Sequence, residues 1–200
     1  MPPLGRLGIR SGSLKIMNLP EFFHNIDVHT HKRVPHAIVS VEPGEDTSGA
    51  EYLSVGIHPW HADGDADMEA VRRMAMSDPR VIAIGECGID RFHGPAPEVQ
   101  LQLFEKHIRL SEELGLPLII HCVRAYGDLI ELHRRHAPRQ PWIIHGFRGK
   151  PQLAADLVRH GMYLSLGRLY NLAVPSAVPG CRLLHETDGQ PPKPYTHEEE

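Results

Sequence analysis

From residue 81 onward the chain repeats one unit, a short apolar β-prone run followed by an amphipathic helical stretch. The runs are "VIAIGECGID" (81–90), "LPLIIHCV" (116–123), "PWIIHGF" (141–147), "GMYLSLG" (161–167) and "RLLHETD" (182–188). They are continuously apolar rather than alternating, so they read as strands buried on both faces, as in a parallel sheet covered by helices. Between them, Pro97 to Leu114 sets Val99, Leu103, Phe104, His107, Leu110 and Leu114 at helical spacing, with a proline in the first turn and Gly115 after the last. Arg124 to His136 and Lys150 to His160 read as two further helices, and Asp67 to Ser77 as another before the repeat. Strand and helix are expected to alternate strictly.

With the earlier segments included, eight strands are expected: 26–29, 37–42, 52–57, 81–85, 117–121, 142–145, 162–166 and 182–186. Eight parallel strands alternating with helices suggest an α/β fold of the TIM-type (β/α)8 barrel class, while a doubly wound open sheet would give the same local pattern. The stretch from His31 to Gly56 is too short for two full helices, so the first quarter of the barrel is expected to be abbreviated to loops. After Asp188 the chain reads "GQPPKPYTHEEE", whose three prolines argue against a closing helix. One domain is expected over residues 21–188. Residues 1–20 are read as an N-terminal extension, with Met17 an alternative start, and 189–200 as a Pro-rich, acidic tail.

Composition narrows the class. A chain of 200 residues with 41% hydrophobic content and net charge -4 fits one ordinary soluble domain. No apolar run approaches the roughly 20 residues of a membrane span, and residues 1–16 lack the continuous apolar region of a secretory signal. The expected location is therefore the cytoplasm. Three cysteines without CxxC spacing imply reduced thiols rather than a disulfide framework or a zinc knuckle. Net acidity excludes a protein that coats nucleic acid by bulk charge.

Fifteen histidines is the unusual count, and their spread excludes a tag. His29 and His31 follow the first expected strand, His58 the third, Glu86 the fourth, His121 the fifth, His145 the sixth, and Glu186 with Asp188 the eighth. In a parallel barrel these carboxyl ends converge on one rim, where such barrels build active sites. Residues two apart on a strand point the same way, so the imidazoles of His-x-His can bind one cation. His29, His31, His121 and His145, with Glu86 and Asp188, supply enough nitrogen and oxygen donors for one or two divalent metal ions. His107, His133, His136 and His160 fall on expected helices and read as surface or interface residues. Lys32, Arg33, Arg91, Arg124, Arg148, Lys150 and Arg168 follow strand ends and would make the rim locally positive, suited to an anionic substrate such as a phosphodiester.

The segments "DVHTH", "GIHPW", "IGECGID", "LIIHCVRA", "HGFRGKPQLA" and "LLHETD", in this order, resemble the TatD-type metal-dependent hydrolases over residues 26–188. The resemblance implies a TIM-like barrel holding one or two divalent cations and a deoxyribonuclease activity, often 3′ to 5′ exonucleolytic. Matched by motif, His29, His31, Glu86, His121, His145 and Asp188 stand at the ligand positions. The chain departs from the family in having Arg124 three places after His121, where many members have a basic residue two places after. It departs also in the short segment before "GIHPW" and in the absent closing helix.

On this reading His29 and His31 hold one ion with Asp188, His121 and His145 hold the second, and Glu86 bridges. A metal-activated water attacks phosphorus in line while Asp188 takes its proton, and His58, Arg91, Arg124 and Arg148 contact the substrate. Two alternatives share the site: a metal-dependent hydrolase of another small anionic ester, amide or phosphomonoester, and a catalytically weak metal-binding relative. The metal is left open among Zn²⁺, Mn²⁺, Mg²⁺, Fe²⁺ and Ni²⁺.

Overall fold

The structure, a computed structural model, describes residues 18–63 and 66–189. Eight strands run β1 (Asp27–Thr30), β2 (Ala37–Val41), β3 (Tyr52–Val55), β4 (Val81–Asp90), β5 (Leu118–Val123), β6 (Trp142–Ile144), β7 (Tyr163–Leu166) and β8 (Leu183–His185). All neighbours pair in parallel, and β8 returns to β1, which settles the sheet as a closed barrel and not an open one. Among the described residues four α-helices cover it: α1 (Met68–Ser77), α2 (Pro97–Leu114), α3 (Tyr126–His136) and α4 (Pro151–Arg159). No helix among the described residues is long and apolar enough to cross a membrane.

Local chemistry sets the helix ends. The Asp67 carboxylate accepts from the Ala70 amide at 3.0 Å to open α1, prolines open α2 and α4, and Gly115 closes α2 in the left-handed conformation. The links β1–β2 and β2–β3 carry no helix, as expected from their length. The β7–β8 link, residues 167–182, also lacks an α-helix, contrary to strict alternation. Pro175 and Pro179 each lack an amide donor, so "AVPSAVPG" closes as turns and a short 3₁₀ segment, Gly180–Arg182. Among the described residues no helix follows β8. The expected tail lies outside them apart from Gly189, as does the expected extension apart from residues 18–20, of which Leu19 is buried.

Two layers fill the barrel along its axis. Leu19, Phe23, Val28, Ile38, Ala83, Ile119, Ile143, Tyr163 and Leu184 form a dry floor. Two residues further along the strands, on the same side of the sheet, Ser40, His121, His145, Ser165 and Glu186 replace aliphatic groups with polar ones. Each of these strands therefore steps from apolar to polar as it rises toward the rim.

Two positions break that period. His29 follows the floor residue Val28 by one place, and Glu86 follows Ala83 by three. The strand registers shift at these points, between Asp27 and Thr30 against β2 and between Ile84 and Cys87 against β5. A β-bulge re-aims the side chain beside it, which accounts for both residues reaching the rim layer. The shift also lets β4 continue beside β5 to Asp90, so β4 exceeds its expected span of 81–85.

Candidate metal centre

The rim gathers seven of the residues expected there. Glu86 lies at the middle, 5% exposed, with its amide donating to Ser40 Oγ at 3.2 Å. Its Oε2 faces His29 Nε2 and His31 Nε2, each at 3.4 Å. Its Oε1 faces His121 Nδ1 at 2.8 Å, His145 Nε2 at 2.8 Å and His58 Nε2 at 3.2 Å. Asp188 Oδ1 stands 3.6 Å from His29 Nε2 and 3.8 Å from His31 Nε2. The donor atoms of His29, His31 and Asp188 form one compact group and those of His29, Glu86 and His145 another; His58, Glu86 and His121 form a third.

Polar neighbours orient the rings. His121 turns Nε2 to Asp90 Oδ2 at 3.3 Å, which leaves the Nδ1 lone pair for the rim. His145 turns Nδ1 toward Glu186 Oε1 at 3.6 Å and leaves Nε2. His58 differs, because its Nδ1 accepts from the Trp60 amide at 3.2 Å and its Nε2 therefore bears the proton in the neutral ring. A protonated nitrogen donates rather than coordinates, so His58 is a hydrogen-bond donor to this cluster.

Asp188 is placed from β1. Its amide donates to the His29 carbonyl at 3.0 Å. Beside it, Asp27 accepts from the Thr187 amide at 3.1 Å, the Thr187 hydroxyl at 2.6 Å and the His29 amide at 3.1 Å. One carboxylate thus clamps the two strands that carry His29 and Asp188.

Burial opposes ionisation of Glu86, but His145 and the hydrogen bonds from His121, His145 and His31 outweigh it, holding this carboxyl well below its usual range. Burial likewise opposes the His145 imidazolium, and Glu86 with Glu186 outweighs it, raising the ring well above its ordinary value. Asp188 is lowered too, since His29 and His145 overcome its partial burial. The centre therefore combines carboxylate charge with a demand for positive charge. Both nitrogens of the fully buried His29 lack a hydrogen-bond partner, and carboxylate oxygens stand 3.4 and 3.6 Å from Nε2. A divalent cation satisfies such a donor set, and these residues fit one.

The arginines separate. Arg91 is committed to Asp128, with Nη2 at 2.6 Å from Oδ2. Arg124 lies over the Phe92 ring, 5.9 Å from its centroid. Arg148 lines a cavity of about 240 Å³ that opens at Asp188. The ligand cluster itself lines a second cavity of about 430 Å³, with Trp60 and His61 in its wall.

Sequence reasoning left out Asp90 and treated Glu186 only as a strand-end residue. Asp90 is 1% exposed and accepts from Trp60 Nε1 at 2.7 Å, while the amides of Phe92 and His93 also donate to it. Burial raises this carboxyl, but those donors and His121 outweigh the effect and bring it down to about 2. The available signal was its place in "IGECGID", four residues after Glu86.

Known proteins match this arrangement. A protein named 3′-5′ ssDNA/RNA exonuclease TatD, from Cronobacter turicensis, is 34% identical over 68% of this chain and 56% of its own length. The deoxyribonuclease Tat-D of Schizosaccharomyces pombe is 30% identical over 68% of this chain and 50% of its own. An uncharacterized metal-dependent hydrolase TatD of Mycobacterium tuberculosis is 35% identical over 73% and 61%. The chain thus spans between half and three fifths of the length of these relatives. In fold, it superposes on the crystal structure of YjjV, a TatD homologue from Escherichia coli, with a TM-score of 0.69 at 24% identity, covering 90% of this chain and 85% of that one. The TatD related DNase family itself matches residues 26–200, reaching from the first histidine pair past Asp188, and the chain belongs to that family.

Proposed function

We propose that this chain is a divalent-metal-dependent hydrolase that cleaves phosphodiester bonds in DNA as an exonuclease. The observation that carries the proposal is the division of Glu86, whose two oxygens face two different groups of imidazoles. In this reading His29, His31, Glu86, His121, His145 and Asp188 would hold one or two divalent ions. When bound, the ions supply Lewis acidity, neutralising phosphoryl charge and making water a better acid.

The chain's own residues do the rest. Asp188, 34% exposed and held below its usual range, is ionised at neutral pH and accepts the proton of the attacking water. His58 donates its Nε2 proton to a phosphoryl oxygen. Arg148, which has no ion-pair partner among the described residues, is free to pair with phosphate, whereas Arg91 is bound to Asp128 and Arg124 is stacked on Phe92. The relatives named as DNA or RNA nucleases support this substrate class. A cytoplasmic setting belongs to the same proposal and is supported by three free cysteines, Cys87, Cys122 and Cys181.

Turnover of a DNA oligonucleotide in Mn²⁺, Mg²⁺ or Zn²⁺ tests the proposal beside p-nitrophenyl phosphate and a simple ester. Oligonucleotide cleavage that is lost in Glu86→Ala is expected. Retained metal-dependent hydrolysis in that variant overturns the site assignment. Turnover only of the monoester or the ester overturns the DNA reading.

A further inference from the structure

The rim holds two cavities that meet at Asp188. The larger one, about 430 Å³, has Glu42 and Glu45 in its outer wall, together with the rings of His58, Trp60 and His61. The smaller one, about 240 Å³, is lined by Arg148, Arg168 and Tyr170, with the buried Glu186 at its base, and Asp188 borders both. Neither Arg148 nor Arg168 pairs with a carboxylate among the described residues, although most arginines of this chain do: Arg33 with Asp46, Arg72 with Glu113, Arg80 with Asp78 and Arg91 with Asp128. Arg168 and Tyr170 come from the β7–β8 link, the segment that forms turns where a barrel of this class carries a helix. Arg168, two residues after β7, sets a second cation at the rim beside Arg148.

From this pairing we infer that the smaller cavity is an anion subsite, in which Arg148 and Arg168 hold a phosphate of the strand adjacent to the one being cleaved, with Tyr170 beside it. The inference rests on the nucleic-acid reading of the metal centre. Two guanidiniums without carboxylate partners carry no competing salt bridge that phosphate must displace, and their fork geometry suits two of its oxygens. The strand therefore leaves the centre over Arg148 and Arg168.

Two measurements test this. The first is binding of a fluorescein-labelled oligothymidylate, followed by anisotropy in EDTA over a series of KCl concentrations, so that no turnover is involved. The double variant Arg148→Ala/Arg168→Ala is expected to flatten the slope of log K against log salt by about 0.7, the share of one phosphate contact on a single strand. Arg159→Ala, which removes a cation on α4 paired with Asp156, leaves the slope as it is. The second is the ratio of kcat/KM on an oligonucleotide to kcat/KM on bis(p-nitrophenyl) phosphate, a diester with a single phosphate. That ratio is expected to fall roughly ten-fold in Arg168→Ala, as loss of one charge-assisted contact predicts.

An unchanged salt slope, or equal losses on both substrates, overturns the subsite. A wild-type chain that cleaves the oligonucleotide while the slopes stay unchanged removes this inference alone. One that neither binds nor cleaves the oligonucleotide removes the nucleic-acid reading and the subsite with it.

Discussion

Behind two of the imidazoles at the rim stands a buried acid that faces away from it. Asp90 backs His121 through Nε2, and Glu186, itself held by the Ser165 hydroxyl, backs His145 through Nδ1. Such outer carboxylates fix which nitrogen presents its lone pair, and their removal commonly weakens metal affinity about 10- to 100-fold. Asp90→Asn is expected to lose Zn²⁺ affinity in that range, read by competition with a chromogenic chelator, while circular dichroism stays that of the parent. His121 and His145 were legible from the sequence because each ends an apolar run. The partners that orient the rings were not, since which nitrogen faces which carboxylate depends on ring rotation and not on spacing.

At the scale of elements, the bulge in β4 carries the site. Gly85 has φ of +139°, and a Cβ there would sit 2.3 Å from the Ile119 carbonyl oxygen. Backbone that close cannot move aside cheaply. Gly85→Ala is expected to destabilise the chain by more than about 3 kcal/mol, measured by urea unfolding, and to lower metal affinity as Glu86 is displaced. The period-two step from Ile119 to His121, from Ile143 to His145 and from Leu184 to Glu186 could be followed in the sequence. The two off-period residues, His29 and Glu86, needed register shifts that apolar patterning does not encode. The turns of the β7–β8 link were missed for a related reason: the repeat outweighed the local evidence of Pro175 and Pro179.

For the molecule as a whole, stability in acid depends on a histidine outside the ligand set. His107 was read as a surface or interface residue of α2, yet it is completely buried, donating from Nδ1 to the Leu103 carbonyl at 2.9 Å and accepting from the Ile57 amide at 3.0 Å. Burial pulls its pKa down to about 4. In the unfolded chain it titrates near 6.5, so between these values the unfolded state binds a proton that the folded state refuses, and stability falls as pH falls from 6.5 toward 4. This residue alone accounts for about 3 kcal/mol over that window and nothing further below it. Urea midpoints between pH 7 and pH 4 are expected to decline, and His107→Gln is expected to flatten that decline by the share of one proton. Closure itself is economical in backbone pairing: β1 and β8 share a single register pair, Asp27 with His185, so the Asp27 clamp on Thr187 does much of the joining.

The contact between Trp60 and Asp90 has an optical consequence. The chain has two tryptophans, and Trp142 is sealed against Phe104 and His133. Trp60 is half exposed, and its indole is joined through Asp90 to His121. Any cation that draws on His121 alters the charge felt by that indole, against a steady background from its buried counterpart. Titration with a divalent cation is therefore expected to change the emission of Trp60, readable without a label and before any substrate is cut.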